Sequence, residues 1–398
     1  MNILIVSSYL PYPLFNGGHI RLYNLMKELS KKHRLTLICE IRHDQTEGDI
    51  KEVKKFCDDV ITIPRKKQWS YQNILKAGFG MYPFLLVGHT LPEMKMAIVR
   101  TLNAKRFDVI HVETFYVMHN LPKTYLPVVL AEHNIEYAVY QRYAAASPRY
   151  KRPFLLFDIA KITYWEEKSW RAATRLLAVT EQEKKKMKRR DVIVVPNGVD
   201  IDTFVPKKRS LKVETKERRI LFMGDFKWIQ NRDSAKWIIE EIWPEVVSRF
   251  HVTGCKLLLW VVGKNMSDEL KAMGHGNSSI ILDEHAPDQT WKIYQKSDIL
   301  LAPIKVGGGS SYKIIEAMAS GVPVVTTGLS ARALEAKDKT HLLVGETSGS
   351  LADATVRLLG NEEVYERIRN NARVFIEKTY SWEHIAKILE NVYKEVIV

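Results

Sequence analysis

The chain has 398 residues, enough for two domains that each enclose a core, and its 46% hydrophobic and 27% charged residues exclude a disordered or fibrous protein. Its 60 Lys and Arg against 46 Asp and Glu leave a net charge of +14, which suits nucleic acid, anionic lipid or an acidic substrate. Cys39, Cys57 and Cys255 stand far apart without metal-ligand spacing, so a reducing compartment is expected and a disulfide framework is not.

The opening MNILIVSSYLPYP lacks a charged leader and a small-residue cleavage site, and reads as a first strand over Asn2–Ser7. A Pro-rich loop follows. Gly17 and Gly18 then precede an amphipathic helix with Leu22, Leu25, Met26 and Leu29 on one face, which sets exposed N–H groups at a helix N-terminus. Strands are predicted at 35–40, 60–63, 109–112 and 128–131, the last leading into Glu132–His133–Asn134. This βαβ rhythm predicts a parallel sheet. No G-x-G-x-x-G follows the first strand, which disfavours an NAD enzyme.

A helical block over 153–171 is apolar and aromatic with basic flanks, so it reads as a core helix or as a helix lying on a membrane surface. No apolar run reaches the roughly 20 residues of a spanning helix. EQEKKKMKRR (181–190) reads as a basic helix, and the charged stretch 206–219 as a linker near the domain boundary. The second half repeats the pattern, with strands at 220–223, 255–262 and 279–282 and a helix over 291–297. Nothing resembles a helix-turn-helix, zinc finger or RNP motif, so nucleic acid is not an expected partner.

The richest stretch is ILLAPIKVGGGSSYKIIEAMASGVPVVTT, from Ile299 to Thr327. It reads as strand, glycine loop, helix, strand. Ser310 or Ser311 can cap the helix, Gly321 sits where a C′ residue belongs, and Pro323 forbids continuation. Backbone N–H groups after Gly307, Gly308 and Gly309 would suit a phosphate. Glu316 shares a helix face with Tyr312 and Lys313 and leans toward that loop. A glycine turn between strand and helix also occurs for structural reasons alone.

This stretch resembles the donor-binding signature of glycosyltransferase family 4, retaining enzymes of the GT-B fold, in Glu316, Ala317, Met318, Ala319, Gly321, Pro323, Val324 and Val325. Pro196–Asn197–Gly198–Val199–Asp200 resembles the segment that crosses between that family's domains. The resemblance implies an α/β protein of two Rossmann-like domains facing a central cleft. They would cover residues 1–200 on the acceptor side and 201–375 on the nucleotide-sugar side, with a helix in 376–398, capped by Ser381, crossing back to the first. It further implies ribose on Glu316, diphosphate at Gly307–Ser311 beside Lys313, and the base near Gly263 and Asp283–Ala286. Gly17 and Gly18 would approach the donor phosphate, and His133 the donor sugar, after domain closure. His111 is a second candidate.

Two family positions differ. Gly308 stands where the family has its first Glu, and Asp225 follows Gly224 where it has an Arg. The cation must then come from Lys305, Lys227 or Arg232. Lys305 and Lys313 are preferred because they flank the glycine loop, and Trp228 and Asn231 resemble a branch of the family. Asp200–Ile201–Asp202 is formally a D-x-D, but it falls in the crossing segment, so no metal and no cofactor are expected. The implied activity is transfer of a hexose from a UDP- or GDP-linked sugar to a saccharide or lipid-linked hydroxyl, in cell-surface polysaccharide or glycoconjugate synthesis. An epimerase or hydrolase on the same fold, or an inactive nucleotide-sugar binder, are the alternatives. The expected location is cytoplasmic, either free or in peripheral contact with the inner face of an anionic membrane.

Overall fold

The computed structural model describes residues 1–206, 217–252, 254–285, 289–305 and 312–397. It divides into two compact units, one of Met1–Pro196 with Ile385–Val398 and one of Asn197–His384. The sequence placed these divisions at 200 and 375. The chain instead leaves the first unit directly after Pro196, where the Pro196 carbonyl accepts a hydrogen bond from the Arg21 guanidinium at 2.6 Å. It re-enters part-way along the last helix, Trp382–Ile397.

The first unit is built on β1 (Asn2–Ser7), β2 (Arg34–Ile41), β3 (Asp59–Pro64), β4 (Val109–Glu113), β5 (Val128–Ala131), β6 (Arg175–Ala178) and β7 (Val192–Val194). They form a parallel sheet in the order β3-β2-β1-β4-β5-β6-β7. Its strands read as continuous apolar runs because helices cover both faces. Leu4, Val6, Ile110, Val112 and Leu130 lie in one buried cluster.

The second unit has β8 (Glu217–Met223), β9 (Lys256–Val262), β10 (Ile280–Asp283), β11 (Ile299–Ala302), β12 (Val324–Thr326) and β13 (Leu343–Val344), in the order β10-β9-β8-β11-β12-β13, again parallel. Alternate residues enter opposite cores. Ile220, Phe222, Ile299 and Leu301 join one cluster, while Leu221, Leu300 and Ala302 join the other. Both sheets are doubly wound and reverse strand order beside their first strand, and ligands of such sheets bind at the carboxyl ends there.

Two expectations are corrected. The basic helix over 181–190 ends at Lys186, because Met187 turns into the core and Arg189 is drawn to the Ala173 carbonyl at 2.8 Å and to Asp191. The linker over 206–219 is shorter, since Glu217–Arg219 already belong to β8; residues 207–216 lie outside the described part.

Candidate active site

In the first unit the site is built at the switch point, where β1 and β4 lie side by side with Ser7 opposite Glu113. The loop after β1 ends at Asn16, whose side-chain oxygen caps the helix Gly17–Leu29 by accepting from the N–H groups of Gly18 at 3.0 Å and His19 at 3.2 Å. The Gly18 N–H is therefore occupied by Asn16. Gly18 is needed for close approach. A Cβ there would lie 3.1 Å from both Nδ1 and Cε1 of His133 and from the Tyr9 hydroxyl. His19 stacks on Tyr9 at 4.6 Å, and burial, then Arg42 and His133, pushes its imidazole down to about 4.

His133 is held by a carboxylate that the sequence reading missed. Its Nε2 pairs with Oε1 of Glu113, the last residue of β4, which is fully buried. The second oxygen of Glu113 lies 2.7 Å from His111 Nε2, and His111 Nδ1 lies 2.9 Å from the Tyr393 hydroxyl. Burial works against the Glu113 charge. The charge on His133 and the hydrogen bonds of both imidazoles override it and hold the carboxyl well below the ordinary range. An ionised Glu113 accepts from both Nε2 atoms, which leaves Nδ1 of His133 as the ring nitrogen beside Gly18. His111, the second candidate, lies beneath as a support. Alternation along β4 puts His111 and Glu113 on one face, and H-x-E at a strand end was the signal for this pair. Glu132, the neighbour of His133, accepts from Trp170 Nε1 at 3.0 Å instead.

In the second unit the switch point lies between β8 and β11. Gly307, Gly308, Gly309, Ser310 and Ser311 lie outside the described residues. The helix after them, Tyr312–Ala319, closes as expected, with Gly321 at φ +63° and the Val322 N–H bonded to the Ala317 carbonyl at 2.9 Å. Glu316 is buried, and the Tyr294 hydroxyl lies 3.0 Å from its Oε2 and 3.1 Å from the Lys313 carbonyl. Burial pushes the Glu316 carboxyl up to about 7 against the hydrogen bonds of Tyr294 and Thr290. Burial likewise pushes the Lys313 ammonium down to about 7. Its Nζ donates to Asn231 Oδ1 at 2.9 Å, and Asn231 is fixed in turn by the Asp225 carbonyl at 2.9 Å.

The other two lysines are differently engaged. Lys305 Nζ sits 3.5 Å above the Trp237 ring, and Lys227 is exposed and pairs with Asp225 at 2.9 Å. Gly263 has φ +152°, and a Cβ there would fall 1.7 Å from the Gly224 carbonyl oxygen, so packing alone requires this glycine. Asp200 accepts from the N–H groups of Asp202 and Thr203 at 3.1 Å, a local turn within the formal D-x-D.

Residues 15–203 match the family model "Glycosyltransferase Family 4", and residues 217–361 match "Glycosyl transferases group 1". The chain belongs to the group 1, family 4 glycosyltransferases. An uncharacterized 44.6 kDa protein in the cps region of Klebsiella pneumoniae is 21% identical over 99% of both chains. The phosphatidyl-myo-inositol mannosyltransferase of Mycobacterium leprae is 28% identical over 52% of this chain, which spans 54% of that protein. Among solved structures, sucrose-phosphate synthase from Thermosynechococcus elongatus superposes with a TM-score of 0.68 at 15% identity, covering 100% of this chain and 99% of that one. HepE of Anabaena, solved with UDP-glucose, gives 0.62 at 12% identity, covering 99% and 100%. Two parallel-sheet α/β units and these neighbours make the fold GT-B.

Proposed function

We propose that this glycosyltransferase moves a hexose, with retention of configuration, from a nucleoside-diphosphate sugar to a hydroxyl acceptor. The observation that carries the reading is Glu316: a buried carboxylate, held by Tyr294 and Thr290, one turn into the helix that follows the glycine loop. A carboxylate oxygen so placed accepts hydrogen bonds from vicinal hydroxyls such as those of a ribose. Lys313 is the cation for the diphosphate, since a lysine already near neutrality gains its proton as the phosphate arrives. That stabilises the growing charge on the leaving group, the largest contribution expected of the protein. Lys305 and Lys227 serve this role only by leaving Trp237 and Asp225.

In the first unit, Gly17 and Gly18 form the floor on which the donor phosphate rests once the Asn16 amide is displaced. His133 offers Nδ1 to a sugar hydroxyl, with Glu113 fixing its tautomer. The acceptor is a saccharide or a lipid-linked hydroxyl, in cell-surface polysaccharide or glycoconjugate synthesis. Support comes from the names of the relatives, a cps-region protein and a phosphatidyl-myo-inositol mannosyltransferase. Transfer is proposed to run without a metal ion, on glycines, helix dipoles and lysine.

The test is a melting and turnover panel of UDP-, GDP- and ADP-sugars, with and without a chelator. Stabilisation by one donor and its slow chelator-resistant hydrolysis uphold the reading. Isomerised sugar in place of hydrolysis moves the function to an epimerase, and stabilisation without turnover leaves a binding protein.

A further inference from the structure

One feature that glycosyl transfer does not use is an apolar surface on the first unit. The helix Tyr71–Phe79 buries only Ala77. Trp69 is 79% exposed, Tyr71 87% and Phe79 92%, and Met81 is also open to solvent. The helix Arg152–Ala172 begins in the same way, with Phe154 80% exposed and Phe157 open beside it. The two elements are fastened together. Lys161 Nζ donates to the carbonyls of Ala77 at 2.6 Å and Gly80 at 2.7 Å, and lies 4.3 Å above the Phe157 ring. Trp165 Nε1 donates to the Met81 carbonyl at 2.9 Å, and Phe84 N–H to Asp158 at 2.8 Å. Large aromatic side chains on two joined helices, left in water, mark a binding surface.

Charge decides what that surface fits. The sequence has no Asp or Glu between Asp59 and Glu93, nor between Glu136 and Asp158, and these stretches carry both sets of exposed aromatics. Exposed Lys67, Lys76, Arg149 and Lys151 lie in them. A two-fold dimer through this face would set each basic stretch against its own copy, which like charges oppose. Aromatic side chains among lysines and arginines instead match the headgroup layer of an anionic bilayer, where phosphates meet the cations and the rings enter the acyl boundary.

We propose that the helix Tyr71–Phe79 and the start of the helix Arg152–Ala172 together form the surface by which the protein binds anionic membranes. The proposal is independent of the donor site. It is tested by sedimenting the full chain with vesicles of phosphatidylcholine alone and of equal parts phosphatidylcholine and phosphatidylglycerol. Binding to the anionic vesicles, weakened by salt, is expected. The double variant Phe79→Ser/Phe154→Ser should lower the partition by about tenfold or more, with its melting temperature unchanged because both rings are already in water. Lys76→Glu/Lys151→Glu should remove the preference for phosphatidylglycerol. Failure to bind either vesicle overturns the proposal, as does undiminished binding by the serine variant. A concentration-dependent dimer abolished by the serine pair overturns it too, and gives the face to a second copy.

Discussion

Glu316 and Lys313 are one helical turn apart, and both titrate near neutrality for the same reason, burial, which raises the acid and lowers the base. Folded Glu316 keeps its proton up to about 7, against 4.5 ordinarily, so its contribution to stability is full below 4.5 and is lost as pH rises through about 7. Lys313 does the opposite: its contribution is full above 10.5 and is lost as pH falls through about 7. Urea midpoints across this range should therefore fall from acid to neutral pH and recover toward alkaline pH. Glu316→Gln should flatten the acid limb and Lys313→Met the alkaline one. If Glu316 binds the ribose as proposed, nucleotide affinity should weaken as pH drops below about 7, and Glu316→Gln should remove that dependence along with most of the affinity. On the other unit, His133→Ala should lower turnover by about 10²–10³, and Glu113→Gln by less, with nucleotide melting shifts retained in both. A loss of melting shift in Glu113→Gln would make that residue structural. Glu316 and His133 were singled out as candidates because each sits in a short local motif. Tyr294 beside Glu316 and Tyr393 beside His111 were not, since only folding brings residues 22 and 282 positions away against them.

At the scale of elements, local chemistry predicts well where a single residue type settles the backbone. The strands were readable as apolar runs. Gly321 ends its helix, and Ser381 starts the last one by accepting the His384 N–H at 3.3 Å. Ser381→Ala should cost about 1 kcal/mol in denaturant melts, the usual worth of such a cap. Gly263 invites a different test, because family resemblance placed it near the base while its geometry places it against the Gly224 carbonyl. Gly263→Ala should destabilise the second unit by more than about 2 kcal/mol. If the variant melts normally and loses only nucleotide affinity, the packing explanation is wrong. The basic helix over 181–190 misled for a tertiary reason: its charges suited a solvated helix, but one methionine, Met187, is worth more buried.

For the whole molecule, the notable fact is that the first unit is made from two pieces of chain. Ile385, Leu389, Val392 and Tyr393 are all buried, and Tyr393 reaches the His111–Glu113 network. Residues 1–196 alone should aggregate or stay molten, whereas the same residues joined by a flexible linker to 385–398 should melt cooperatively. The second unit, Asn197–His384, contains its own sheet and both of its apolar clusters, and should fold unaided. This sets an order of events during synthesis. The ribosome makes the first unit's sheet early, but the strip that seals it emerges only after every residue of the second unit. The earlier-made half must therefore wait, incomplete, while the later-made half finishes folding, and it is during that wait that the nascent chain most needs a chaperone.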